Sequence, residues 1–165
     1  MTKQALVFMA PGFEEMELTI TVDILRRAGI EVNTVTLAAD RSPVTGSRNI
    51  SMLPDLTLEE IAIEKCDIAI LPGGIDGTRN LGANQKVIGF IQKMHAAGKK
   101  VAAICAAPAV LARAGLIEGR RATSHPAAAE HMAGTIYCED RVVIDGNVTT
   151  SRAAGTTFDF AFSLV

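Results

Sequence analysis

Four short segments of this 165-residue sequence hold residues whose type and setting could do chemistry. In VAAICAAPAVL, a β-branched run passes through Cys105 into small residues and then Pro108, near which a helix can begin. A strand feeding a helix in this way exposes a thiol above the strand's carboxyl end, the edge at which open α/β sheets bind ligands. Helix N–H groups at that edge favour the thiolate, which is the nucleophilic form of cysteine. On pattern alone a second reading stands level with this one, because free cysteine is among the most buried residue types and packs as a small hydrophobe.

Leu71-Pro72-Gly73-Gly74 follows an apolar run that starts at Ile68 and so reaches the same edge. Glycines there let a bound group approach backbone N–H donors, as holding an oxyanion requires, although an isolated Gly-Gly is more often a tight turn. Neither the G-x-G-x-x-G fingerprint nor the Walker spacing is present. Glu14, Glu15 and Glu17 cluster where a helical pattern begins. Solvated charges complementing the helix dipole account for Glu14 and Glu15. One carboxyl pointing over the sheet edge could instead hold a proton and donate a hydrogen bond to a thiolate. Ser124-His125-Pro126 places a histidine near a strand end, suited to proton transfer or substrate orientation near neutral pH, and equally to capping or plain exposure. His95 and His131 fall on predicted helical faces and read as incidental.

The elements that must position these groups alternate in the manner of βαβ units, which predicts an α/β fold with a mainly parallel sheet. Strand-like runs cover Ala5 to Met9, Glu31 to Leu37, Ile68 to Leu71 and Val101 to Ile104. Between them Ile20, Ile24 and Ala28 share one helical face, as do Val87, Ile91 and Met94, and Gly29 and Gly98 stand where those helices end. Pro43, Gly46 and Pro54 interrupt the rhythm between Arg41 and Asp55, which predicts a hairpin-like excursion. Asp145-Gly146-Asn147 between two extended runs predicts a second hairpin. No repeat or linker divides the chain, so residues 1–165 are expected to form one domain.

Bulk composition narrows the functional classes. With 48% hydrophobic and 21% charged residues the chain has the balance of a soluble globular domain. A net charge of -2 and the absence of long Lys/Arg blocks give no footprint for scaffold-type nucleic-acid binding. The apolar stretches are too short to span a membrane and the N-terminus does not resemble a signal peptide, so a cytoplasmic protein is expected. Cys66, Cys105 and Cys138 have neither disulfide nor zinc spacing, and the three histidines lack helical metal-site pairing, so no metal is expected.

Taken together, GFEEMELTITVDILRRAG, LPGG, AAICAAPAVLA, SHP and TSRAAGTTFDFA resemble the ThiJ/PfpI superfamily, in the deglycase-like branch of the parkinsonism-associated protein DJ-one and bacterial YajL. The resemblance runs over essentially the whole chain. It implies a flavodoxin-like three-layer sandwich, a homodimer, and a cysteine on a strained nucleophile elbow. By motif position Cys105 is the nucleophile, Glu17 its neighbouring carboxyl and His125 the accompanying histidine. Gly74 and Ala106 would supply oxyanion N–H groups. Arg27 and Arg48 match arginines that approach the site across the dimer interface, and otherwise read as solvated surface charges.

The implied activity is a cofactor-free hydrolase of small α-oxoaldehydes, or a deglycase of glycated amines and thiols, with a cysteine redox sensor or chaperone as the alternative. Such chemistry joins thiolate attack on an aldehyde or acyl carbon to N–H groups that hold the oxyanion. Two departures stand out: Ala107 occupies a position commonly glycine in the family, and relatives continue beyond Val165. Ala106 stands where the peptidase-like branch carries histidine, which argues against a protease.

Overall fold

A computed structural model describes residues 2–165. In chain order the first half runs β1 (Gln4–Met9), α1 (Glu15–Arg27), β2 (Glu31–Thr36), β3 (Val44–Thr45), β4 (Ser51–Met52), β5 (Leu56–Thr57), β6 (Ile68–Leu71) and α2 (Ile75–Ala83). The second half runs α3 (Gln85–Ala96), β7 (Lys100–Ile104), α4 (Pro108–Arg113), β8 (Arg121–Ala122), β9 (Ile136–Tyr137), β10 (Val142–Asp145), β11 (Val148–Ser151) and α5 (Thr157–Leu164). Seven strands form one sheet in the order β10-β11-β7-β6-β1-β2-β5. Its neighbours are parallel except for the β10-β11 hairpin.

Strand alternation divides the core between the two faces of this sheet. Leu6 and Phe8 of β1, Leu71 of β6 and Val101 of β7 join α3 residues Val87, Ile91 and Met94 on one face. Val7, Ile70 and Ile104 join Leu18, Val22 and Leu25 of α1 and Phe160 and Leu164 of α5 on the other. Such near-continuous apolar strands are what a parallel sheet covered on both sides demands. The mixed α/β architecture is therefore a three-layer sandwich. Because β2 and β6 flank β1 on opposite sides, the strand order reverses at β1, and the loops leaving β1, β6 and β7 share one carboxyl edge.

Both expected hairpins form. β3 and β4 pair antiparallel, and β10 turns into β11 through Gly146 and Asn147. The first hairpin is clamped over the site edge by Gly12 N–H on Thr45 O at 2.8 Å and Ser47 N–H on Phe13 O at 2.8 Å. One expected helical face needs correction. Leu18, Val22 and Leu25 enter the core, whereas Ile20 is half-buried and Ala28 exposed, with only Ile24 of the expected stripe buried. The phase of α1 is fixed at its first turn, where Glu17 and Leu18 point inward, and Thr21, Val22, Ile24 and Leu25 continue that buried face.

Candidate active site

β7 ends at Ile104, and Cys105 follows it with φ of +65°, a left-handed conformation that costs a non-glycine residue about 1–2 kcal/mol. Hydrogen bonds on both sides hold it there. The Cys105 N–H donates to Ser151 O on β11 at 3.0 Å, and the His125 N–H donates to Cys105 O at 2.7 Å. Ala107, the next residue but one, has φ of −64°, so this turn makes no demand for glycine at that position.

The Gly73-Gly74 turn after β6 brings a second strand end against the thiol. A Cβ on Gly73 would sit 2.6 Å from Cys105 Cβ and 2.7 Å from Glu17 Oε2, so only glycine permits the approach. Gly74 has φ of +90°, and a Cβ there would meet Gly12 O at 2.2 Å. In this arrangement the backbone N–H groups of Gly74 and Ala106 stand near the Cys105 sulfur and favour its charged form.

α1 supplies the carboxyl. Glu14 is the N-cap, its carboxylate accepting the Glu17 N–H at 2.8 Å, and this cap turns Glu17 inward. Glu17 is 1% exposed, and its Oε2 accepts the Gly73 N–H at 2.7 Å. Its other oxygen, Oε1, is buried with no hydrogen-bond partner among the described residues. Burial pushes this carboxyl up to about 7, against the pull of the Gly73 N–H and the Cys105 thiol. Burial, and then the Glu17 charge, push the thiol up to about 12, opposed by the Gly74 and Ala106 N–H groups.

The two groups form one titrating pair, which gives up a first proton near neutrality and a second only far above it. When the pair carries one negative charge, that charge has two places to sit. A thiolate has the Gly74 and Ala106 N–H groups and a protonated Glu17 nearby, whereas a Glu17 carboxylate has the Gly73 N–H and the Cys105 thiol. Hydrogen bonds to the charged form favour it while burial weighs on both groups, so the two positions of the charge compete. The expectation that helix N–H groups lower the thiol is corrected: α4 has six residues and starts three residues beyond Cys105, and burial with the Glu17 charge raises the thiol instead.

A cleft of about 1080 Å³ opens beside the sulfur and is lined by Cys105, Gly74, Ala106, His125 and Arg48, among others. His125 Nδ1 accepts the Ala127 N–H at 3.1 Å, which fixes its ring and leaves Nε2 to carry the proton of the neutral form. Arg48 reaches the cleft because Glu15, 6% exposed, accepts its backbone N–H at 2.5 Å and the Ser47 hydroxyl at 3.0 Å. The reading of Glu15 as a solvated charge is therefore corrected: it is an internal anchor that the sequence pattern did not reveal. Arg27 stays apart from these residues, at the opposite end of α1, where it pairs with Asp23 at 2.7 Å.

The other two thiols have different settings. Cys66 is packed in the core and burial pushes it up to about 11, while Cys138 is half-buried on the segment after β9. Among the described residues no cluster of three or more His, Cys, Asp or Glu side chains could hold a metal ion. No helix among them is long and apolar enough to cross a membrane.

An α/β sandwich that holds a left-handed cysteine above its carboxyl edge, against a buried carboxyl, defines a recognisable class of protein. The chain belongs to the DJ-1/PfpI family, whose model it matches over residues 3–165. It is 41% identical to protein dj-1beta of Drosophila melanogaster, over 99% of this chain and 88% of that protein. A deglycase of Pyrococcus abyssi is 34% identical over 94% of this chain and 93% of its own length. The crystal structure of Drosophila melanogaster DJ-1beta superposes with a TM-score of 0.95 at 42% identity, covering 99% of this chain and 89% of that one.

Proposed function

We propose that this chain is a cysteine-dependent, cofactor-free hydrolase of α-oxoaldehydes or of their early adducts with amines and thiols, acting in carbonyl and oxidative stress defence. The observation that carries this reading is a left-handed Cys105 lining one cleft with Gly74 and Ala106 while it packs against the buried Glu17 carboxyl. The deglycase name of the Pyrococcus abyssi relative supports it.

The Cys105 thiolate adds to the aldehyde carbon, and the carbonyl electron pair moves to an oxygen held by the Gly74 and Ala106 N–H groups. A proton from Glu17 or His125 completes a hemithioacetal. With methylglyoxal, the proton on the former aldehyde carbon is removed and one is delivered to the neighbouring carbonyl carbon. The first carbon is thereby oxidised to a thioester and the second reduced to an alcohol, with no external electron acceptor. Water then cleaves the thioester, releasing lactate and restoring the thiolate. With an amine adduct, the thiolate displaces the amine, which leaves with a proton, and the same hemithioacetal follows.

Arg48 steers polar or anionic substrates at the cleft mouth. Arg27 enters the proposal only through a homodimer, for which the exposed Met16 on α1 and Phe158 and Phe162 on α5 offer apolar surface. Light scattering at tens of micromolar should return twice the chain mass; a monomeric mass removes the dimer and Arg27's part in it. For the activity itself, pure protein should convert methylglyoxal to lactate catalytically and the Cys105→Ser protein should not. Equal rates in the two would reject the nucleophile.

A second reading rests on the same carboxyl. Peroxide would oxidise the Cys105 thiolate to sulfenate and then sulfinate, each step reducing one peroxide to water, and protonated Glu17 would hold the product by a hydrogen bond. A protein that gains two oxygens at Cys105 under mild peroxide, yet shows no turnover, would be such a sensor or a redox-regulated chaperone.

A further inference from the structure

The cleft beside Cys105 is far larger than a three-carbon aldehyde needs; at about 1080 Å³ it lies at the upper end of those that enclose drug-sized ligands. Its shape has a cause in the sequence. One wall is the face of Ala106, Ala109 and Arg113, running from the elbow along α4, and the facing wall is Thr78, Arg79 and Gly82 of α2. Each wall repeats at helical spacing, so together they make a groove that starts at the sulfur and passes over small side chains. Arg113 lies eight positions beyond Cys105, on the order of 10 Å away along the helix direction.

Gly82 lets the Arg113 stem rest on α2: a Cβ on that glycine would stand 3.9 Å from Arg113 Cδ. Arg113 is exposed at the rim of the cleft, and among the described residues its guanidinium makes no hydrogen bond or ion pair within the chain. The neighbouring Arg79 is engaged, pairing with Asp76 at 2.7 Å. A three-carbon substrate held at Cys105 leaves this cation unused. A guanidinium at the end of an apolar groove is a fork-shaped donor suited to carboxylate or phosphate.

We infer that this groove is a subsite for the departing amine or thiol half of the substrate, and that Arg113 selects halves carrying an anionic group on the order of 10 Å from the reacting carbon. The inference rests on the proposed hydrolase reading and narrows its substrate class to anionic adducts. Ala106 and Ala109 give the linking chain a smooth apolar path, so the selection depends on charge at its far end.

Two matched pairs of thiols test it as methylglyoxal hemithioacetals: a long-chain mercaptoalkanoate against its amide, and phosphopantetheine against pantetheine. In the unaltered protein, kcat/KM should favour the charged member of at least one pair by roughly tenfold. The pair that shows the preference distinguishes carboxylate from phosphate. Arg113→Met keeps the stem and removes the charge, and Arg113→Gln gives a second such variant; each should bring the ratio close to one. Calorimetry with the unreactive S-methyl thioethers on the Cys105→Ser protein should give the same preference without turnover. Loss of turnover on every substrate with this binding preference intact would reject the hydrolase reading and keep the subsite. Binding without preference for charge, or a preference that survives both Arg113 variants, overturns the subsite.

Discussion

Glu15 and Glu17 stand two residues apart on the first turn of α1, both inside the protein, and their surroundings push them in opposite directions. Glu15 loses solvation, but the Arg48 N–H and the Ser47 hydroxyl outweigh that loss and hold its carboxyl below the usual range. Glu17 has one N–H on one oxygen and a bare second oxygen, so burial prevails and raises it to about 7. Carboxylates are therefore sorted by the donors that meet them, and burial alone does not predict the sign. Glu15 is a fixed anion that organises the hairpin loop, and Glu17 is a proton store beside a thiol.

The largest expected consequence is on stability. The folded protein holds the Glu17 proton between about 4.5 and about 7, where the unfolded chain releases it. Stability from this group is thus full below about 4.5 and falls as pH rises to about 7, by roughly 3 kcal/mol in total. Glu17→Gln should remove that slope and be the more stable protein above pH 7 in urea titrations. An unchanged slope would mean that Glu17 ionises as freely in the fold as outside it.

Next in size is turnover. Glu17→Gln keeps a hydrogen-bond donor and loses the transferable proton, so methylglyoxal conversion should fall by roughly a hundredfold, or about 2.7 kcal/mol, while sulfinate formation persists. Full turnover in this variant would leave Glu17 as a hydrogen-bond partner only and would strengthen the sensor reading.

Glu15→Gln should act the other way on stability. It leaves the Arg48 N–H and Ser47 hydroxyl with a weaker acceptor and should cost about 1–2 kcal/mol at neutral pH. Because the folded carboxyl is lowered, this contribution is present above about pH 4.5 and is lost as pH falls through the folded value. Equal stability of the two proteins at neutral pH, with unaltered amide protection at Arg48, would show the hairpin loop to be held by other bonds.

The smallest effect separates the two positions of the shared charge. Brief iodoacetamide labelling should reach Cys105 before Cys66 and Cys138, with a midpoint near neutrality. Labelling that rises only toward pH 12 would put the charge on Glu17 and reverse the pair.

What the sequence determined is whatever depends on neighbours along the chain. The four apolar runs became β1, β2, β6 and β7 with bounds shifted by a residue or so, and the Asp145-Gly146-Asn147 signal became the β10-β11 turn. Cys105 and Gly74 were legible as residues just past strand ends, because a parallel sheet sends successive strand ends to one edge, while Glu17 was one of three carboxylates at a helix start, singled out by the family resemblance. The sequence left open which groups meet there, since hydrophobic periodicity carries no information about contacts across the sheet. The Ile20, Ile24 and Ala28 stripe is also apolar, and only docking of α1 against both the sheet and α5 chose Leu18, Val22 and Leu25. Glu15 looked like surface charge until the hairpin folded over it from 33 residues away. The direction of each carboxyl's shift came last of all, because it follows from donors supplied by distant segments, and only the tertiary structure brings those segments together.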